Sequence, residues 1–232
     1  MNAREASVPP QSWEPPPAAH PVRCRIDVLP RVDGTPNVDL AVAMATAGLL
    51  TSGTVLIRDW EAPSAAYDEA LRHTWADLGA YVVSSRAGLT ATSRSTGGHL
   101  VGGHWDVSAV SIAAAAIIAV ACTVADGPST IRGAGRRTDE IATALRDLGG
   151  RVTAEGDLLS IQPGRPWPGT WPCDPDLGPA GLTLSAIVPV TLSRWDRVEA
   201  DTPGASLLWM HALSADEYLM PGSAKLPGDY VR

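Results

Sequence analysis

Two stretches of the chain are apolar on nearly every helical face, and each is followed by the same succession of shorter signals. Asp39 to Leu50 carries no charge after its first residue, and a helix without a polar face belongs inside a core. It leads into Val55-Leu56-Ile57-Arg58-Asp59, then a helix closing on Leu78-Gly79-Ala80, then short strands at Val82-Val83 and Leu89-Thr90-Ala91. From Trp105 to Ile161 the order returns: an apolar helix within residues 109–125, a strand ending Thr130-Ile131-Arg132-Gly133, and a basic turn Arg136-Arg137-Thr138-Asp139. An amphipathic helix closing on Leu148-Gly149-Gly150 and two short strands complete it. A repeat of about 60 residues is a whole supersecondary unit, here βαβαββ.

The flanks extend this picture. Val22, Cys24, Ile26 and Val28 alternate with Arg23, Arg25 and Asp27, the pattern of a half-buried strand. Residues 1–21, with Pro15-Pro16-Pro17 and no periodicity, read as a disordered Pro-rich tail. Gly164 to Pro175 reads as a linker into a third, degraded unit, with a helix from Pro179 to Val190, a strand Arg197-Val198-Glu199-Ala200 and a helix from Ala205 to Leu213. Residues 218–232 read as a second loose tail. The expectation is one α/β domain over 22–217, with repeats at about 22–95, 96–163 and 164–217. Three units around a pseudo-threefold axis enclose parallel inner helices within three four-stranded sheets.

Composition narrows the function. A net charge of −7 argues against nucleic-acid and acidic-membrane partners, since tracking phosphates requires a basic excess. Of 18 Lys and Arg only Lys225 is lysine, which leaves the body of the fold without lysine chemistry. Cys24, Cys122 and Cys173 lack metal or disulfide spacing, which favours reduced thiols and a cytoplasmic setting. The apolar run 109–125 lies inside the repeat and reads as a buried helix, not a membrane span.

The run Trp105-Asp106-Val107-Ser108-Ala109, then Ile112 to Ile118, Thr130-Ile131-Arg132-Gly133, Arg136 to Ile141, Leu145 to Val152 and Gly156 to Ile161 resembles the enolpyruvyl transferases, EPSP synthase (3-phosphoshikimate 1-carboxyvinyltransferase) above all. The resemblance is strongest over 100–162, fair over 28–92 and poor after 170. It implies a single enolpyruvyl-transferase-like domain of three βαβαββ repeats, an inside-out α/β barrel, where the family has two such domains and a cleft between them. The motifs depart from the family. Its Lys-Glu-x-Asp-Arg turn is matched here by Arg136-Arg137-Thr138-Asp139-Glu140, and a second register instead places Arg137 on an arginine of the preceding unit. Its Asp-His-Arg is matched by Asp176-Leu177-Gly178, and its Pro-Gly-x-Lys-Ser loop only by Pro221 to Lys225.

Arg136 and Arg137 stand before Thr138, a candidate N-cap, and guanidinium groups beside free N–H groups at a helix start suit a carboxylate or phosphate. The alternative is that they are solvated and pair with Asp139 or Glu140. His104 next to Asp106 reads as a general acid or base, or as a loop histidine with Asp106 capping the following helix. His99, His104 and Asp106 have loose metal-ligand spacing without a fourth ligand. Asp33, Gly34, Asn37 and Asp39 are explained by capping. The candidate catalytic residues are therefore His104, Asp139 and Glu140, and the candidate substrate-binding residues are Arg136, Arg137, Asp106 and Trp105, with neither metal nor cofactor expected. The expected function is a diverged small-molecule enzyme of bacterial specialised metabolism acting on an anionic, carboxylated substrate by elimination, isomerisation or cyclisation. The alternatives are half of a carboxyvinyl transferase completed by a partner domain or a homodimer, and a non-catalytic binding protein.

Overall fold

The computed structural model describes residues 11–94 and 99–214. In chain order the elements are β1 (Ser12–Trp13), β2 (Arg23–Ile26), β3 (Arg31–Val32), β4 (Thr35–Pro36), α1 (Val38–Leu50), β5 (Thr54–Ile57), α2 (Ala65–Asp77), β6 (Ala80–Ser85) and β7 (Gly88–Ser93). There follow β8 (His104–Asp106), α3 (Ile112–Thr123), β9 (Ser129–Arg132), a 3-10 turn (Gly135–Arg137), α4 (Thr138–Asp147), β10 (Arg151–Glu155) and β11 (Leu158–Gln162). The chain continues with β12 (Gly169–Pro172), α5 (Gly178–Ser185), β13 (Val190–Ser193), α6 (Trp195–Asp201) and α7 (Ala205–Ser214).

The apolar stretches form α1 and α3, buried over almost their whole length, and with α5 they pack against one another as the centre of the molecule. Their small side chains let the backbones approach closely enough for Thr183 Oγ1 to reach the carbonyl of Ala43. Asn37, Ser64 and Ser111 cap α1, α2 and α3 with side-chain oxygens that accept from the first-turn N–H groups. The amphipathic α2 and α4 each bury one face, through Leu71 and Trp75 and through Ile141 and Leu145. Each such large side chain withdrawn from water contributes roughly 1.5–3 kcal/mol. No helix among the described residues is long and apolar enough to cross a membrane.

Two four-stranded sheets have equivalent orders, β6-β7-β5-β2 and β10-β11-β9-β8, each with one parallel pair and two antiparallel pairs. The third differs from the expected four strands: its order is β1-β13-β12. Here β12 and β13 form the parallel pair, and β1 takes the antiparallel position that β7 and β11 hold in the other sheets. The Pro-rich segment is therefore built into the fold from residue 11. Trp13 stacks on Trp195 with centroids 5.0 Å apart, and Ala18 N–H donates to Ala186.

The expected linker 164–175 supplies β12, and the expected strand Arg197 to Ala200 lies in α6, where Trp195 and Val198 are buried one turn apart. Residues 1–10 and the tail 218–232, including the Pro221 to Lys225 echo, lie outside the described residues.

Candidate functional site at the helix amino termini

Every parallel strand feeds a helix that starts at its carboxyl end, so the six strand-to-helix junctions share one face of the domain. This is where ligands of open α/β sheets bind, because outgoing N–H groups and loop side chains converge there. Contacts tie the junctions together. Asp39 in the first turn of α1 accepts from Ser111 Oγ at the start of α3 (2.5 Å) and from the Tyr67 hydroxyl in the first turn of α2 (3.2 Å). The Asn37 amide donates to Thr202 (2.7 Å) at the end of α6.

Capping does not account for Asp39, because Asn37 is the residue that caps α1. The Asp39 carboxyl lies mostly withdrawn from water. Burial raises its pKa above the usual carboxylate range and the nearby charge of Asp176 adds to this, while the hydroxyls of Ser111 and Tyr67 oppose it. Tyr67 is itself buried, and its phenol is pushed up by burial and by the charge of Asp39. A carboxyl with a raised pKa, set between two hydroxyls at the meeting point of three helix N-termini, can hold a proton and release it.

The expected site residues fall into separate places. Arg137 is not a free anion receptor. Only 13% of its side chain is exposed, and its guanidinium is filled by Asp174 (2.7 and 2.9 Å), Glu140 (2.6 Å) and Asp176 (3.2 Å). These hydrogen bonds, that to Asp174 foremost, outweigh burial and raise its pKa further. Burial alone would push the Asp174 carboxyl up, yet Arg137 and the N–H groups of Leu177 and Asp176 bring it below the usual range. Arg137 thus staples the start of α4 to the start of α5. Thr138 is not a cap but the first residue of α4, its hydroxyl donating to Gly135.

Arg136, by contrast, is 80% exposed, with a single long ion pair of 3.8 Å to Asp176. It projects from this face next to Asp176, whose charge also reaches Asp39. Asp139 and Glu140 line a cleft of about 300 Å³ with Arg137, Leu177 and Arg194, to the side of Asp39.

His104 and Trp105 do not reach the face. His104 is exposed on the outer side of its sheet, with Nδ1 2.6 Å from Thr130 Oγ1 on the neighbouring strand. Alternation along β8 turns Trp105 inward, where it is buried over Gly103, so it offers no aromatic wall. Asp106 accepts from Ser108 N–H (2.9 Å) in a tight turn, with Ser108 holding its carboxyl below the usual range, and Ser111 does the capping expected of it. His99 is paired with Asp126 instead of with His104 (3.1 Å), and the described residues contain no cluster of three or more metal-ligating groups.

An α/β domain with its polar groups gathered at converging helix N-termini is the class defined by fold and site together. The EPSP synthase (3-phosphoshikimate 1-carboxyvinyltransferase) family profile matches residues 33–185, and the chain belongs to that family. The 3-phosphoshikimate 1-carboxyvinyltransferase of Kocuria rhizophila is 33% identical over 135 residues, which make up 55% of this chain and 29% of that one. Among solved structures, the enolpyruvyl transferase NikO from Streptomyces tendae superposes with a TM-score of 0.60 at 19% identity, covering 78% of this chain and 43% of that one. EPSP synthase from Acinetobacter baumannii superposes with a TM-score of 0.63 at 16% identity, covering 75% and 45%. The chain thus spans less than half the length of these relatives.

Proposed function

We propose that the face carrying Asp39 is one wall of a small-molecule site, in which Arg136 draws in a carboxylate or phosphate and Asp39 moves a proton at an adjacent carbon. The observation that supports this reading best is the Asp39 carboxyl itself, withdrawn from water between Tyr67 and Ser111 where helix N-termini meet. A raised pKa makes the Asp39 carboxyl hold its proton to higher pH than an exposed carboxyl does, and the N-termini favour the anionic form once the proton has left. A cation that holds a carboxylate beside a group that moves a proton is the part that elimination, isomerisation and cyclisation of a carboxylated substrate have in common.

Carboxyvinyl transfer is the second reading. The chain spans under half of its transferase relatives, and its single lysine, Lys225, lies outside the described residues. On this reading another domain or a second copy closes over the face and supplies the missing cations.

Thermal shift and calorimetry with shikimate, shikimate 3-phosphate, phosphoenolpyruvate and other carboxylated ring compounds test the proposal. A ligand at a hundredfold its Kd stabilises the fold by about 2.7 kcal/mol. Binding that is lost in Arg136→Ala supports the anion role, and binding kept but turnover lost in Asp39→Asn supports the proton role. Silence of the isolated chain, with turnover appearing only on addition of a separate enolpyruvyl-transferase domain, favours the second reading. Binding unaffected by Arg136→Ala refutes the assignment of this face.

A further inference from the structure

At the opposite end of the inner helices lies a depression of about 470 Å³ that plays no part in the proposed site. Its floor is apolar, made by Leu50 at the end of α1, Val124 at the end of α3, and Ile187 and Val188 beyond α5. Its mouth carries Arg165, which makes no hydrogen bond or ion pair among the described residues, and a His99–Asp126 pair that satisfies itself. The segment that presents Arg165 is fixed at several points. Gly164 N–H donates to Thr123 O (2.8 Å), Trp167 N–H to Leu148 O (3.0 Å), and Arg151 holds the Pro163 carbonyl. Pro163 and Pro166 restrict the backbone on either side. The backbone that presents Arg165 is thus fixed at the rim of the apolar floor, with the exposed guanidinium unpaired among the described residues.

We infer that this depression binds a small monocarboxylate with a hydrocarbon body, aryl or short acyl, its carboxylate on Arg165 and its body on Leu50, Val124 and Ile187. The volume lies within the range of small-molecule sites, and the apolar floor is ringed by the polar groups of the mouth. Helix C-termini repel an anion. Here that repulsion is blunted, because Thr123 O and Ala186 O at the ends of α3 and α5 are already bonded to Gly164 and Ala18 N–H groups. The carboxylate, moreover, sits at the mouth beyond them. The inference stands independently of the role given to Asp39 and Arg136.

Amide-resolved NMR titration of the full chain with benzoate, and with benzamide as its uncharged counterpart, tests it. Benzoate is expected to shift the amides of Val124, Gly164 and Val188. Benzamide, or benzoate with Arg165→Met, is expected to bind at least about tenfold more weakly, the loss of one charge-assisted hydrogen bond. Ile187→Trp, which fills the floor, removes the binding, and Arg136→Ala leaves it intact. Equal binding of benzoate and benzamide, indifference to Arg165→Met, shifts centred on Asp39 and Arg136, or no shifts at millimolar benzoate would each overturn the inference. Should Ile187→Trp not fold, the exposed Arg165→Met decides the matter alone.

Discussion

Replacing Arg137 by Met removes the guanidinium while keeping an unbranched stem to pack, and so isolates what its carboxylate contacts contribute. An exposed ion pair contributes at most about 1 kcal/mol, whereas breaking a fully buried one costs about 3–5 kcal/mol. The Arg137 and Asp174 side chains are 13% and 23% exposed, which places the pair near the buried limit. Asp174 keeps two backbone N–H donors after the substitution, which softens the loss. The expected destabilisation is about 2–3 kcal/mol, or roughly 5–10 °C in Tm for a chain of this size. The pH dependence has a definite sign. The folded pKa of Asp174 is lowered, so its contribution is present above the unfolded value of about 4 and is lost as pH falls through the folded one. The gap between wild type and Arg137→Met therefore narrows on acidification. Urea titrations at pH 7 and pH 3.5, with Asp174→Asn and the double variant completing a cycle, measure both effects. A coupling energy below about 0.5 kcal/mol, or a gap that does not narrow in acid, would refute the staple.

Asp39→Asn carries the opposite sign. Because the folded pKa of Asp39 is raised, its contribution to stability is greatest below the ordinary carboxylate range and declines as pH rises through the raised value. The variant is expected to match or exceed wild-type Tm at pH 7.5 while losing turnover, as Tm measured across pH 4 to 8 will check. Trp13→Ala removes the stacking on Trp195 and is expected to lower stability by about 2–3 kcal/mol in chemical denaturation. Gly53→Ala places a methyl against the Val22 carbonyl, between β2 and the turn into β5. It is expected to destabilise by more than about 3 kcal/mol, read as a fall in Tm or in soluble yield.

Legibility in the sequence followed the range of the interactions. The inner helices α1 and α3 announce themselves because a run apolar on all faces has one stable location, and the first two units share their periodicity. In the third unit, Arg197 to Ala200 was too short a window to distinguish a strand from a helix. The spacing of Trp195, Val198 and Thr202 at three and four residues carries the helical signal. In sequence Asp39 is one more residue near a cap, because its meaning depends on Tyr67 and Ser111, 28 and 72 residues away. For Arg137 the sequence shows only Asp139 and Glu140 close by, whereas its strongest partner, Asp174, is 37 residues distant. For His104 and Trp105, the alternation of β8 decides which side of the sheet each occupies, and a strand of three residues gives little pattern to read.

The pairing of Ser12 with Ser193 also sets a temporal order. During synthesis the first two units can assemble as they emerge, but Trp13 must wait for a strand almost the whole chain away. Closing so long a loop is entropically slow, and contacts of this separation form late. The third sheet is therefore expected to be the last to lock in folding and the first to open under load. Trp13 and Trp195 lie at that seam, where a change in their fluorescence would report the final step.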